Sequence, residues 1–265
     1  MGEQAPPSAA IAWLTRWVRV RPFTATYVVV ALVLSVVFGT LWSPAQDMSW
    51  YPDISYGLPS LEDGKWWTLV TGLPFAVLPW QNLFVIGGFA VLVGYAEGRL
   101  GTARTVVITF ASQLIAVLAG SLLLAVTRDA GWEWAVEKAT ETDLGFSAGM
   151  LGVAAVATAT IRPPCRMRAR LALWAYVLFA FLYIGLLADL AHLIVVLVTM
   201  PLASRLAGDR AVRAPALPTR REIRLLAAAG VLLGIAMQFV TIFSPDRLTP
   251  LGYAGPTVTG GSSSR

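Results

Sequence analysis

One cysteine, one histidine and little charge narrow what this chain can be before any motif is read. Cys165 stands alone, so no internal disulfide is expected, and one imidazole without a thiol cluster cannot assemble a usual zinc site; no metal or other cofactor is implied. With 13% charged and 57% hydrophobic residues among 265, a water-soluble core would have too little polar sequence to cover it. The chain also lacks an internal repeat and charged pairs within its apolar runs, which argues against a proton-coupled transporter. The run at 28–41 has a long charged region before it and no A-x-A site after it, so it reads as a span and not as a cleaved signal.

What is present is a series of seven apolar stretches, roughly 24–42, 80–96, 105–126, 144–161, 171–187, 190–204 and 225–244, which predict an all-α polytopic membrane protein. Several fall short of the ~20 residues that cross ~30 Å of hydrocarbon and must be buried among neighbours or sit in thinned bilayer. Fifteen of the twenty basic residues fall at the N-terminus or in alternate loops, including Arg99, Arg104, Arg162, Arg166 and Arg205, while the opposite loops carry Asp53, Glu62, Asp129, Glu133, Asp143 and others. By the positive-inside rule this predicts a cell-membrane protein with a cytoplasmic N-terminus and an external C-terminus. The basic surplus then faces anionic membrane lipids, and no nucleic-acid partner is expected. Seven of the ten tryptophans, Trp67 among them, fall in or beside the acidic loops, where an aromatic belt would sit.

The expected organisation is a cytoplasmic segment at 1–23 and a membrane core at 24–205. A basic loop at 206–224, an added transmembrane helix at 225–244 and a disordered external tail at 245–265 follow. Residues 9–20 have the pattern of a short interfacial helix.

The polar residues sort by depth. The fourth stretch enters from the acidic side through Asp143-Leu-Gly-Phe-Ser147, which puts Ser147 about four residues, or ~6 Å, below that end. His192 enters from the same side through Asp189-Leu-Ala-His192 and lies at a matching depth. Gly145, Gly149 and Gly152, with neighbouring alanines, leave the fourth helix thin enough for close approach by another. A serine is a weak nucleophile until its proton has an acceptor, so a hydroxyl and an imidazole brought together make a nucleophile and its general base. Against this, a serine in a membrane helix commonly bonds back to a carbonyl one turn earlier. Asp189 shares a helical face with His192; it either holds the imidazole tautomer or is a solvated residue at the helix mouth.

Four pieces of the chain resemble the rhomboid family of intramembrane serine proteases, in order and spacing over about residues 60–205. Lys65-Trp66-Trp67-Thr68-Leu69-Val70-Thr71 resembles its W-W-R-x-x-T loop segment, and Glu97-Gly98-Arg99-Leu100-Gly101 its E-x-R-x-G. Gly145-Phe146-Ser147-Ala148 resembles the G-x-S-x nucleophile motif, and Ala191-His192 the A-H of the partner helix. The resemblance implies a six-helix core, here with a seventh C-terminal helix, and a Ser147/His192 dyad that cleaves membrane-anchored protein substrates near the outer face.

The chain departs from the family pattern at defined positions. The family's oxyanion-binding Asn on the second helix is Val85 here, leaving Gln81, Asn82 and the Ser147 amide as oxyanion candidates. The Arg after the Trp pair is Thr68, and the two helix-packing glycines after the His are Val195 and Thr199. Small residues on the fourth helix must therefore supply all the closeness, or the dyad is held apart. The alternative function is a catalytically inactive rhomboid-like protein that binds transmembrane helices.

Overall fold

The computed structural model describes residues 17–212 and the backbone of 248–249 and 252–253. The expected seventh helix at 225–244, the tail beyond 253 and most of the 9–20 segment lie outside the described residues. Six principal helices run through the rest: α1 Pro22–Val37, α2 Pro79–Leu100, α3 Thr102–Asp129, α4 Ser147–Ala157, α5 Cys165–Ile184 and α6 Leu187–Ala207. Four of these, α2, α3, α5 and α6, are long and apolar enough to cross a membrane, so the chain is a polytopic membrane protein whose regular structure is helical throughout its described residues apart from a short ribbon pairing Leu248–Thr249 with Gly252–Tyr253.

The helices are amphipathic in reverse, as lipid as solvent requires. On α1 the buried residues Thr24, Tyr27, Ala31 and Ser35 recur at three- and four-residue spacing, while Val29, Val33 and Val37 are exposed. On α3 the buried stripe includes Thr105, Thr109, Ser112, Gln113, Ala116 and Gly120, and the exposed one Val107, Leu122 and Val126. Lipid tails are as apolar as leucine, so burial of apolar area does not drive these helices together; small residues and interhelical hydrogen bonds do.

Two turns of chain fix the frame. Pro22 and Pro79 each stand at the start of a helix, where a missing N–H costs nothing and φ is preset. The orphan N–H groups of Phe23 and Thr24 at the α1 N-terminus donate to the buried Glu97 carboxylate at 3.0 and 2.9 Å, and the Thr24 and Thr102 hydroxyls donate to it at 2.7 and 2.8 Å. Glu97 thereby joins α1 to the turn between α2 and α3, with its charge at the favourable end of the α1 dipole. At the arginine-rich end, Arg104 on α3 donates to the Ala207 carbonyl at the close of α6 at 2.9 Å. Both α2 and α5 contain a five-residue π turn, Phe89–Val93 and Ala180–Ile184.

α4 sits at the centre, between α3 and α6, and from Leu151 to Ala157 every residue is buried. Its eleven residues span only ~16 Å, so it is the short element that the apolar runs required to be enclosed by neighbours. The 38–78 connection folds back as short helical turns at Tyr51–Ile54, Leu58–Glu62 and Thr68–Thr71 and packs Tyr51, Phe75 and Ala45 against Leu144.

Candidate active site

The segment that delivers Ser147 is held from several sides. Tyr56 and Asp143 exchange backbone hydrogen bonds at 3.0 and 2.8 Å, Gly145 N–H donates to the Gly72 carbonyl at 3.1 Å, and the Tyr51 hydroxyl donates to the Thr142 carbonyl at 2.8 Å. Gly145 has φ +126°, a conformation that L side chains rarely adopt, which explains glycine at the first position of Gly-Phe-Ser. Because residues 142–146 are pinned loop, α4 begins at Ser147 itself. The four helical residues expected above the serine are therefore corrected to a recessed loop, and the matched depth with His192 arises from that recess. Burial pushes the Asp143 carboxyl up to about 7, with the charges of Asp189 and Glu141 adding to the rise and the Leu144 N–H opposing it.

His192 lies one turn and a half into α6, and its Nε2 is 2.8 Å from the Ser147 hydroxyl oxygen. The closeness comes from α4. A Cβ on Gly152 would stand 2.7 Å from a methyl of Val195 and nearer still to the Ser112 side chain, and one on Gly149 would stand 2.6 Å from the Thr109 carbonyl. Val195 fills the space that Gly152 leaves, and Thr199 bonds back to the Val195 carbonyl at 2.7 Å, so neither wedges the helices apart.

Asp189 is buried, which corrects the solvated reading of it. One carboxylate oxygen accepts the Leu186 N–H at 2.9 Å and so caps α6; the other lies 3.8 Å from His192 Nδ1, which makes no hydrogen bond. That distance is an electrostatic contact, too long for a hydrogen bond. The Tyr176 ring lies beside the imidazole, centroids 6.2 Å apart.

Other residues singled out in the sequence fall elsewhere. Asn82 donates to the Thr40 carbonyl at 2.7 Å and accepts from Ser35 at 3.4 Å, both on the α1 side. Gln81 accepts the Leu78 N–H at 3.0 Å, as a cap of its own helix. Neither amide is hydrogen-bonded to Ser147. Trp67 is exposed and donates to the Asp53 carbonyl at 2.8 Å; Arg99 lies at the basic end, its guanidinium 5.5 Å from the Tyr95 ring centroid. Glu97, described above, also lies at that end, away from Ser147 and His192.

The amide that does meet the serine turn is Gln113 of α3, which belongs to none of the sequence motifs. Its Nε2 donates to the Gly145 carbonyl at 3.0 Å and its Oε1 accepts the Gly149 N–H at 2.9 Å. The Tyr56 hydroxyl donates to the same Gly145 carbonyl at 2.8 Å. A glutamine inside an otherwise apolar span is the one signal that could have found it, since a polar group there needs a partner. At the head of α4, the N–H groups of Ser147 and Ala148 are left without partners among the described residues, as the first donors of a helix are. No family model, curated protein or solved structure matches the chain. Fold and geometry thus define a polytopic membrane protein with a serine and a histidine in hydrogen-bond contact at the head of a buried helix.

Proposed function

We propose that this protein is a rhomboid-like intramembrane serine protease that cleaves membrane-anchored proteins near the outer membrane face, with a cytoplasmic N-terminus and an external C-terminus. The observation that carries the reading is the 2.8 Å contact between His192 Nε2 and the Ser147 hydroxyl at the first residue of α4. His192 accepts the hydroxyl proton as the oxygen attacks the scissile carbonyl, then returns it to the leaving amine; water, activated by the same imidazole, releases the acyl group. The N–H groups of Ser147 and Ala148 point out of the helix start, where the dipole favours negative charge, and serve as the oxyanion donors in place of Asn82. Asp189 stands 3.8 Å from the other imidazole nitrogen, Nδ1.

The test is labelling of the purified chain with a fluorophosphonate, read by intact mass, together with cleavage of a reporter bearing a helix-destabilised transmembrane segment. Wild type is expected to label and cleave, Ser147→Ala to do neither, and His192→Ala to lose nearly all of both. A second reading, a non-catalytic rhomboid-like protein that binds transmembrane helices, is favoured by one observation: Asn82 is turned toward α1, its amide donating to the Thr40 carbonyl. Identical behaviour of wild type and Ser147→Ala, with membrane-anchored clients still co-purifying, selects that reading.

A further inference from the structure

Gln113 is 1% exposed and lies on a different helix from either member of the dyad. A primary amide in an apolar span must have both of its ends bonded, and some polar side chains manage this within their own helix: Thr109 bonds to the Thr105 carbonyl at 2.7 Å and Thr199 to that of Val195. Gln113 does not. Both of its bonds go to one five-residue segment, Gly145–Gly149, at whose centre Ser147 sits.

We propose that Gln113 is a positioning residue that holds the Ser147 turn in its reactive shape, an inference that rests on the serine-protease reading. The donor end fixes the Gly145 carbonyl, which also receives the Tyr56 hydroxyl, so the peptide two residues before the serine is held from two directions. The acceptor end takes the Gly149 N–H, the third orphan donor of α4. Met150 N–H already bonds to the Phe146 carbonyl at 3.0 Å, so the N–H groups of Ser147 and Ala148 remain as the unpaired donors at this helix head. Gln113 thus selects which amides face a developing oxyanion and clamps the strand of chain that aims them. The amide has one working orientation, since a flip would set its oxygen against a carbonyl and its NH2 against an N–H.

The experiment measures the fluorophosphonate labelling rate of the full chain in detergent from pH 5 to pH 8, with the thermal midpoint of each variant alongside. Gln113→Leu removes both bonds, and misplacement of reacting groups by about an ångström lowers rate by about 10²-fold, the drop expected at every pH. Gln113→Glu separates positioning from packing. Protonated, it has an O–H for the Gly145 carbonyl and a C=O for the Gly149 N–H; ionised, it sets a charged oxygen against that carbonyl. Its rate relative to wild type should therefore climb as pH falls, whereas the Gln113→Leu ratio stays flat. If wild type labels and both variants label at its rate, or if the Gln113→Glu ratio is as flat as that of Gln113→Leu, the inference is overturned and the protease reading stands. If folded wild type does not label at all, the protease reading falls and takes the inference with it. Should Gln113→Leu not fold, the pH course of Gln113→Glu alone decides.

Discussion

α4 and α5 follow one another in the chain, each within a stretch that reads as a span, and have opposite surroundings. α4 is built of Gly, Ala and Val and is enclosed on nearly every side; α5 carries Trp174, Tyr176, Leu178 and Phe179, and only Arg166 and Val177 of its regular portion are buried. Hydropathy sees two spans, but the physical demands differ. The helix that presents the serine must let α3 and α6 come close, so its side chains shrink; the helix that meets lipid gains from bulk.

Substitutions in the enclosed helix and in the lipid-facing one should therefore diverge. The largest effect is expected from Gly152→Leu, whose first added carbon already overlaps Val195 and Ser112. It should cost at least about 3 kcal/mol, the upper end of ordinary overpacking, and abolish labelling, measured by thermal unfolding in detergent and by intact mass. A variant that kept a wild-type midpoint would mean that α4 has room that this packing denies it.

A smaller effect, with a definite sign in pH, is expected at Asp143 in the loop that feeds α4. Its folded pKa, about 7, lies above the unfolded value near 4, so folding favours the neutral acid. Its contribution to stability is complete below about pH 4 and is lost as pH rises through 7. Asp143→Asn keeps an acceptor for the Leu144 N–H and does not titrate. Its thermal midpoint should exceed that of wild type at pH 8 and converge with it at pH 4; parallel curves would mean that the carboxyl ionises without penalty. The smallest effect belongs to α5. Leu178→Ala, on a side chain 43% exposed, should change stability by no more than about 0.5 kcal/mol, and a larger loss would place Leu178 in a packed interface.

Four of the expected spans, α2, α3, α5 and α6, were legible because a long apolar run in a weakly charged chain is stable chiefly where lipid or other helices surround it, whereas α1 and α4 are shorter than the stretches that contain them. Ser147 and His192 were legible from direction and depth alone, two entries from the same side. Gln113 was not, since its meaning depends on α3 passing behind Gly145, a contact separated by 32 positions that no local pattern encodes. The partners of Asn82 were illegible for the same reason: Ser35 and Thr40 are distant from it in sequence. The π turns in α2 and α5 likewise leave no mark in the periodicity.

Glu97 has a consequence for the order in which the chain is built. The carboxylate that satisfies the head of α1 is synthesised 73 residues after Thr24, once α2 is nearly complete. Until that residue has been made, the leading amides of the first helix lack this acceptor. The cap of the first helix is thus a property of the assembled pair and not of the first helix alone.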